Sequence, residues 1–166
     1  MKKYSDQCLG NRFNGSVFAL QDIINQVGRR LGFKVNDGFY RGSADRVGYD
    51  GIWVFPEGHK VIVEVKSTDA YRIDLNTLAN YRRSIINKGN ASEDASSILI
   101  VVGREDTGDL EAQIRGSRHA WDIRLISVDG LMLLMFLKEE VEDPNIIRRI
   151  YDLLIPREFT KLDEIV

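Results

Sequence analysis

The sequence is poor in the residues that cross-link or stiffen small proteins. It holds one cysteine, Cys8, and three prolines in 166 residues. An intrachain disulfide is therefore impossible, and the Cys/His clusters of a structural zinc site are missing as well. A lone thiol suits a reducing compartment. Neither sign of charge dominates: 23 Lys and Arg stand against 25 Asp and Glu, for a formal net charge of -2. This excludes a wholesale cationic surface for nucleic acid, so only a local basic patch could serve phosphate binding. Long hydrophobic runs are absent too. The longest apolar stretch, Leu131 to Leu137, falls far short of the roughly 20 residues that cross a bilayer. The start Met1-Lys2-Lys3 is basic but has no apolar run behind it, unlike a signal peptide. The expectation is a cytoplasmic chain without a membrane partner.

What is present is an ordinary globular balance, 43% hydrophobic and 29% charged, over a length that suits one domain, 1–166. Val17, Leu20, Ile23, Ile24, Val27 and Leu31 recur at helical steps, which predicts an amphipathic helix with Ser16 as its N-cap and Gly32 as its stop. Two apolar runs, Gly51 to Phe55 and Val61 to Lys66, flank Pro56-Glu57-Gly58-His59 and read as a hairpin, with His59 exposed in the turn. A helix follows from Leu75 to Asn87, capped by Asp74, with Leu75, Leu78, Tyr81 and Ile85 as its buried stripe. Ser97 to Val102 is continuously apolar and reads as a strand buried on both faces. A short helix near Leu110 to Ser117, a strand at Ile123 to Ser127 and two helices, Val128 to Val141 and Asn145 to Leu154, complete the pattern. Strands alternating with helices after a hairpin predict an α/β fold, a mixed sheet flanked by helices.

One strand carries chemistry. In Val61-Ile62-Val63-Glu64-Val65-Lys66 the valines point to one face, while Ile62, Glu64 and Lys66 point to the other. Charges at the end of an apolar strand are costly unless they pair or hold a metal. Asp50 opens the hairpin partner, and antiparallel pairing brings it towards Glu64. Two ionised carboxylates that close repel each other, and a hard divalent cation resolves the conflict. Such an ion makes water a better nucleophile and offsets charge developing on a phosphate. Lys66 is placed to orient that water or to stabilise a pentavalent phosphate.

Asp50, thirteen intervening residues, then Glu64-Val65-Lys66 resembles the D-x(n)-(D/E)-x-K signature of the PD-(D/E)XK nuclease superfamily. Tyr49 stands where the family often has proline. The element order resembles the family's restriction-endonuclease-like αβββαβ core over roughly residues 16–127, with helices at about 128–155 appended. The missing early strand is expected within Gly38 to Val47. The resemblance implies a Mg2+-dependent DNA endonuclease, with Mn2+ able to substitute. Asp50, Glu64 and Lys66 would be catalytic, and Asp50, Glu64 and the Val65 backbone carbonyl would be metal ligands. In-line attack would leave a 5′-phosphate. Restriction or defence is the leading role; repair or recombination, and a non-catalytic DNA-binding or assembly subunit, are the alternatives. Many members carry a glutamate on the first helix, and the matching place here is Gln21, which could assist the site but adds no negative charge. The family's Q-x-x-x-Y pattern on the helix after the catalytic strand has a loose counterpart in Thr77 and Tyr81, although Tyr81 reads first as core.

Phosphodiesters need cations. Arg41, Arg46, Arg72, Arg82 and Arg118 are the candidates to contact DNA. Around Arg118, the group Arg115-Gly116-Ser117-Arg118-His119-Ala120-Trp121 reads either as a clamp or stacking site for nucleic acid or as a packing corner with Trp121 buried and His119 hydrogen-bonded, the corner being the favoured reading for Trp121. Little chain remains for a separate sequence-reading domain. A homodimer, a partner subunit or a further domain is expected to supply specificity, and Ile146, Ile147, Ile150, Leu153 and Leu154 form a stripe that fits either a dimer surface or packing on the sheet.

Overall fold

Alternation along the strands sorts the hydrophobic residues into two cores, one on each face of a five-stranded sheet. A computed structural model of the chain describes residues 1–10, 15–38, 48–67, 72–103, 107–141 and 143–155. The elements run α1 (Lys2–Gly10), α2 (Ser16–Arg30), β1 (Lys34–Asp37), β2 (Gly51–Val54), β3 (Lys60–Lys66), α3 (Leu75–Asn87), β4 (Ser96–Val102), α4 (Gly108–Arg115), β5 (Ile123–Ser127), α5 (Val128–Glu140) and α6 (Pro144–Leu154). The sheet order is β1-β2-β3-β4-β5. The first three strands pair antiparallel, and β3, β4 and β5 pair parallel. From α2 to β4 this is an αβββαβ core in a mixed sheet flanked by helices.

Val61, Val63 and Val65 of β3 and Leu99 and Val101 of β4 face the first core. Leu20, Ile24, Val27 and Leu31 of α2 cover them, together with α5 and α6. Ile62 of β3 and Ile98, Ile100 and Val102 of β4 face the second core, under α3 and α4. All of β4 is buried, as a strand sandwiched between helical layers must be. Among the described residues no helix is long and apolar enough to cross a membrane.

Several details differ from the sequence reading. The third early strand of the core is β1, a short polar edge strand directly after α2; of Gly38 to Val47, where a strand was expected, all but Gly38 lies outside the described residues. Lys34 and Asp37 sit on that open edge, where charge discourages pairing with another chain. The N-terminal helix α1 was not foreseen; only Ser5 and Cys8 of it are buried, too few to leave a clear stripe. Ser16 is the first residue of α2 and not its cap; Gly15, at φ 94, precedes it and offers no side-chain bond. Val17 is 47% exposed, so the buried stripe of α2 begins at Leu20. His59 is half-buried, its Nε2 2.9 Å from Ser97 Oγ. Trp121 is 64% exposed, against the burial expected of it, whereas His119 is buried and hydrogen-bonded as expected, its Nε2 3.4 Å from Asn76 Oδ1.

The C-terminal helices belong to the first core. Tyr151 donates to the Leu31 carbonyl at 2.8 Å and its ring lies 5.0 Å from Phe33, which in turn stacks on Phe55. Ile150 and Leu154 are buried in that packing and Ile146 rests against it. Of the stripe considered for a dimer surface, Leu153 alone is exposed.

Candidate active site

The hairpin register puts Gly51 opposite Val63 and Ile52 opposite Ile62. Continuing it by one residue sets Asp50 beside Glu64, on the face that Ile62 shares. The Asp50 N–H donates to the Val63 carbonyl at 3.1 Å, and the Val65 N–H donates to Asp50 Oδ2 at 2.6 Å. A side-chain oxygen thus continues the ladder after the backbone of β2 has diverged. The N–H and C=O of one strand residue point to the same edge, so the Val65 carbonyl is carried on the edge of β3 that faces Asp50.

Helix α2 holds Asp50 from the other side. Gln21 donates through Nε2 to Asp50 Oδ1, and Asn25, one turn on, donates to the Asp50 carbonyl at 3.0 Å. Asn25 Oδ1 accepts from the Trp53 indole at 3.0 Å. This clamp needs bare backbone beneath it: a Cβ on Gly51 would lie 2.3 Å from Asn25 Oδ1. Sequence reasoning found Gln21 and missed Asn25. The available signal was a second polar residue one turn along, bordering the apolar stripe.

Glu64 is 7% exposed, and its Oε1 pairs with Lys66 Nζ at 2.5 Å. Its Oε2 is buried without a hydrogen-bond partner among the described residues. An unsatisfied buried acceptor costs about 1–3 kcal/mol, and more when charged. Burial, then the nearby Glu64 charge, push the Asp50 carboxyl up to about 7, although the Val65 N–H, Lys66 and Gln21 all pull it down. Both observations describe a pair of acids short of positive charge. The donors are hard carboxylate oxygens, and among the described residues no third His, Cys, Asp or Glu completes a larger ligand cluster. Two carboxylates, with the remaining positions left to water and phosphate, suit Mg2+. The residues present fit that ion.

Tyr81 borders the pair. It is half-buried, and its hydroxyl would lie 3.4 Å from a Cβ on Gly48. Burial first, and the Glu64 carboxylate second, hold its phenol above the usual range. Thr77 is used elsewhere: its hydroxyl donates to Asp74 Oδ2 at 2.7 Å within the N-cap of α3.

Among the described residues, the candidate DNA-binding arginines Arg82 and Arg118 are not gathered at the carboxylates. Arg82 is a structural tie at the opposite end of β4. It donates to the Ser96 carbonyl and hydroxyl at 3.1 and 3.0 Å and to the Glu93 carbonyl at 2.6 Å, and it pairs with Asp122 at 3.1 Å. Arg118 lies in the connection leading into β5, its Nε 3.4 Å from His119 Nε2. Arg72 is exposed just ahead of α3, which starts at the same end of the sheet as Lys66. Arg41 and Arg46 lie outside the described residues.

The sheet order, strand directions and flanking helices define an α/β protein of the αβββαβ class, with an acidic pair and a lysine at the end of its central strand. No protein-family model matches the sequence, and no curated protein matches it. Among solved structures the chain is similar to restriction endonuclease PspGI, in a complex with substrate DNA. Identity is 17%, the TM-score is 0.46, and the match covers 99% of this chain and 65% of that one. The fold assignment stands on the sheet order and strand directions independently of that likeness.

Proposed function

We propose that this chain is a Mg2+-dependent endonuclease that hydrolyses phosphodiester bonds in DNA, as a restriction or defence enzyme or its cleavage module, in the cytoplasm. The observation that carries the reading is the buried Glu64 Oε2, without a hydrogen-bond partner among the described residues, beside an Asp50 carboxyl raised by burial and by the Glu64 charge. Asp50, Glu64 and the Val65 carbonyl would hold the ion, and Mn2+ would substitute for it. Bound there, it would supply Lewis acidity at the phosphate and make water more nucleophilic. Gln21 and the Val65 N–H keep the Asp50 carboxylate from turning away. Lys66, ion-paired to Glu64, orients the attacking water and offsets charge on the pentavalent phosphate. In-line attack leaves a 5′-phosphate. Arg72, with Arg41 and Arg46, contacts the DNA backbone. Cutting both strands calls for two such sites, so the active species is a homodimer or a complex with a partner that reads sequence.

The test is nicking and linearisation of supercoiled plasmid in Mg2+. Asp50→Ala, Glu64→Ala and Lys66→Ala should each slow cleavage by about a hundredfold or more, with DNA binding largely kept. Cleavage by Asp50→Ala at the wild-type rate would remove the assignment. A second reading, a non-catalytic DNA-binding subunit, is favoured by Gln21 in a place where an acid would strengthen metal binding. It predicts a protein that binds DNA, takes up no Mg2+ and cuts nothing.

A further inference from the structure

Helix α2 meets the acidic pair with a donor and not with an acid. Gln21 Nε2 is directed at Asp50 Oδ1, and the Val65 N–H occupies Asp50 Oδ2. Lys66 occupies Glu64 Oε1. Three of the four carboxylate oxygens therefore already accept from the protein, and among the described residues Glu64 Oε2 alone has no partner. The amide orientation follows from electrostatics, because an amide oxygen turned towards Asp50 would set two acceptors against each other. Each carboxylate oxygen has about two lone-pair sites, so the occupied oxygens can still reach a cation, but with less charge to offer.

Resting on the nuclease reading, we infer that Gln21 is a positioning residue that limits the site to one weakly held divalent cation: it fixes Asp50 through its amide and withholds the third carboxylate. Affinity for hard cations rises with the number of charged ligands and the rigidity of the site. Asn25 makes the placement firm, since it grips the Asp50 carbonyl from the next turn of α2 while anchored to Trp53. The backbone of Asp50 stays in place whichever side chain stands at Gln21. A carboxylate introduced there would project towards Asp50 and Glu64, crowding three negative charges in the absence of a cation and completing a stronger site in its presence.

The test is isothermal titration of the full chain with Mn2+, without DNA, paired with thermal melts. Wild type should bind one Mn2+ per chain, and Q21E should bind at least tenfold more tightly. Without metal, Q21E should melt below wild type, and saturating Mn2+ should bring it level or above. A merely structural amide would give a lower melting point that metal does not restore. Wild type binding two ions per chain, Q21E binding no more tightly than wild type, or Q21E remaining unfolded in saturating Mn2+ would each overturn the inference. Tight binding by Q21E alongside no detectable binding by wild type would overturn the inference, because the wild-type site would then hold no cation, and would remove the nuclease reading with it. Silence from both proteins would remove both.

Discussion

Asp50 concentrates the physical tension of the molecule in one side chain. Its carboxyl is raised from 3.8 to about 7, by burial first and by Glu64 second. Between those two values the folded protein holds a proton that the unfolded chain has released, so folding stability falls as pH rises from about 4 to about 7. The contribution is fully present below the lower value and gone above the upper one. Asp50→Asn removes it. In chelator, the wild-type denaturation midpoint should therefore decline relative to the Asp50→Asn midpoint across that window, with equal slopes counting against the raised carboxyl. Saturating Mg2+ should flatten the difference, because the ion favours the charged acid.

At the scale of elements, the contact of α2 with β2 decides how accurately the site is built. Gly28 lies on the Trp53 ring: a Cβ there would sit 2.5 Å from Trp53 Cε2. Alanine is better than glycine in a helix by about 1 kcal/mol, whereas overpacking a tight core costs about 1–3 kcal/mol. The collision is with a fully buried ring that cannot swing aside, so the second term wins. Gly28→Ala should lower the denaturant midpoint despite its higher helix propensity; an unchanged or raised midpoint would show that α2 shifts freely. Gly51→Ala acts on the same clamp from the strand side by displacing Asn25 from the Asp50 carbonyl. It should reduce plasmid cleavage by a larger factor than it reduces folded population at the assay temperature, and a loss explained wholly by unfolding would contradict the positioning role of Asn25.

For the whole molecule, a cation held by the acidic pair, as proposed, would link ion binding to folding. The site draws on three elements, α2, β2 and β3, and exists only when they are assembled. An ion that binds the native state alone stabilises it by RT ln(1 + [L]/Kd), about 2.7 kcal/mol at a hundredfold excess over Kd. In a chain of this size each kcal/mol raises the melting temperature by about 2–4 °C. Mg2+ at such an excess should thus raise the melting temperature of wild type by several degrees and leave Glu64→Gln nearly unmoved. Equal shifts in both proteins would point to ion binding elsewhere.

The sequence by itself determined the parts that local periodicity encodes. Alternation in Val61 to Lys66 sets Glu64 and Lys66 on one face, the Pro56 to His59 turn fixes the hairpin that brings up Asp50, and the continuous apolar run of β4 reports burial on both sides. Elements without such a signature were illegible: β1 is short and polar because it is an edge, and α1 buries too little to show a stripe. Only the tertiary structure decided which polar side chains serve which purpose. Gln21 and Asn25 reach Asp50 across 29 and 25 residues of chain, while Arg82 is drawn to the far end of β4. A hydrogen bond between remote residues leaves no period in a sequence, because its partners are chosen by how helices are laid on the sheet and not by spacing along the chain.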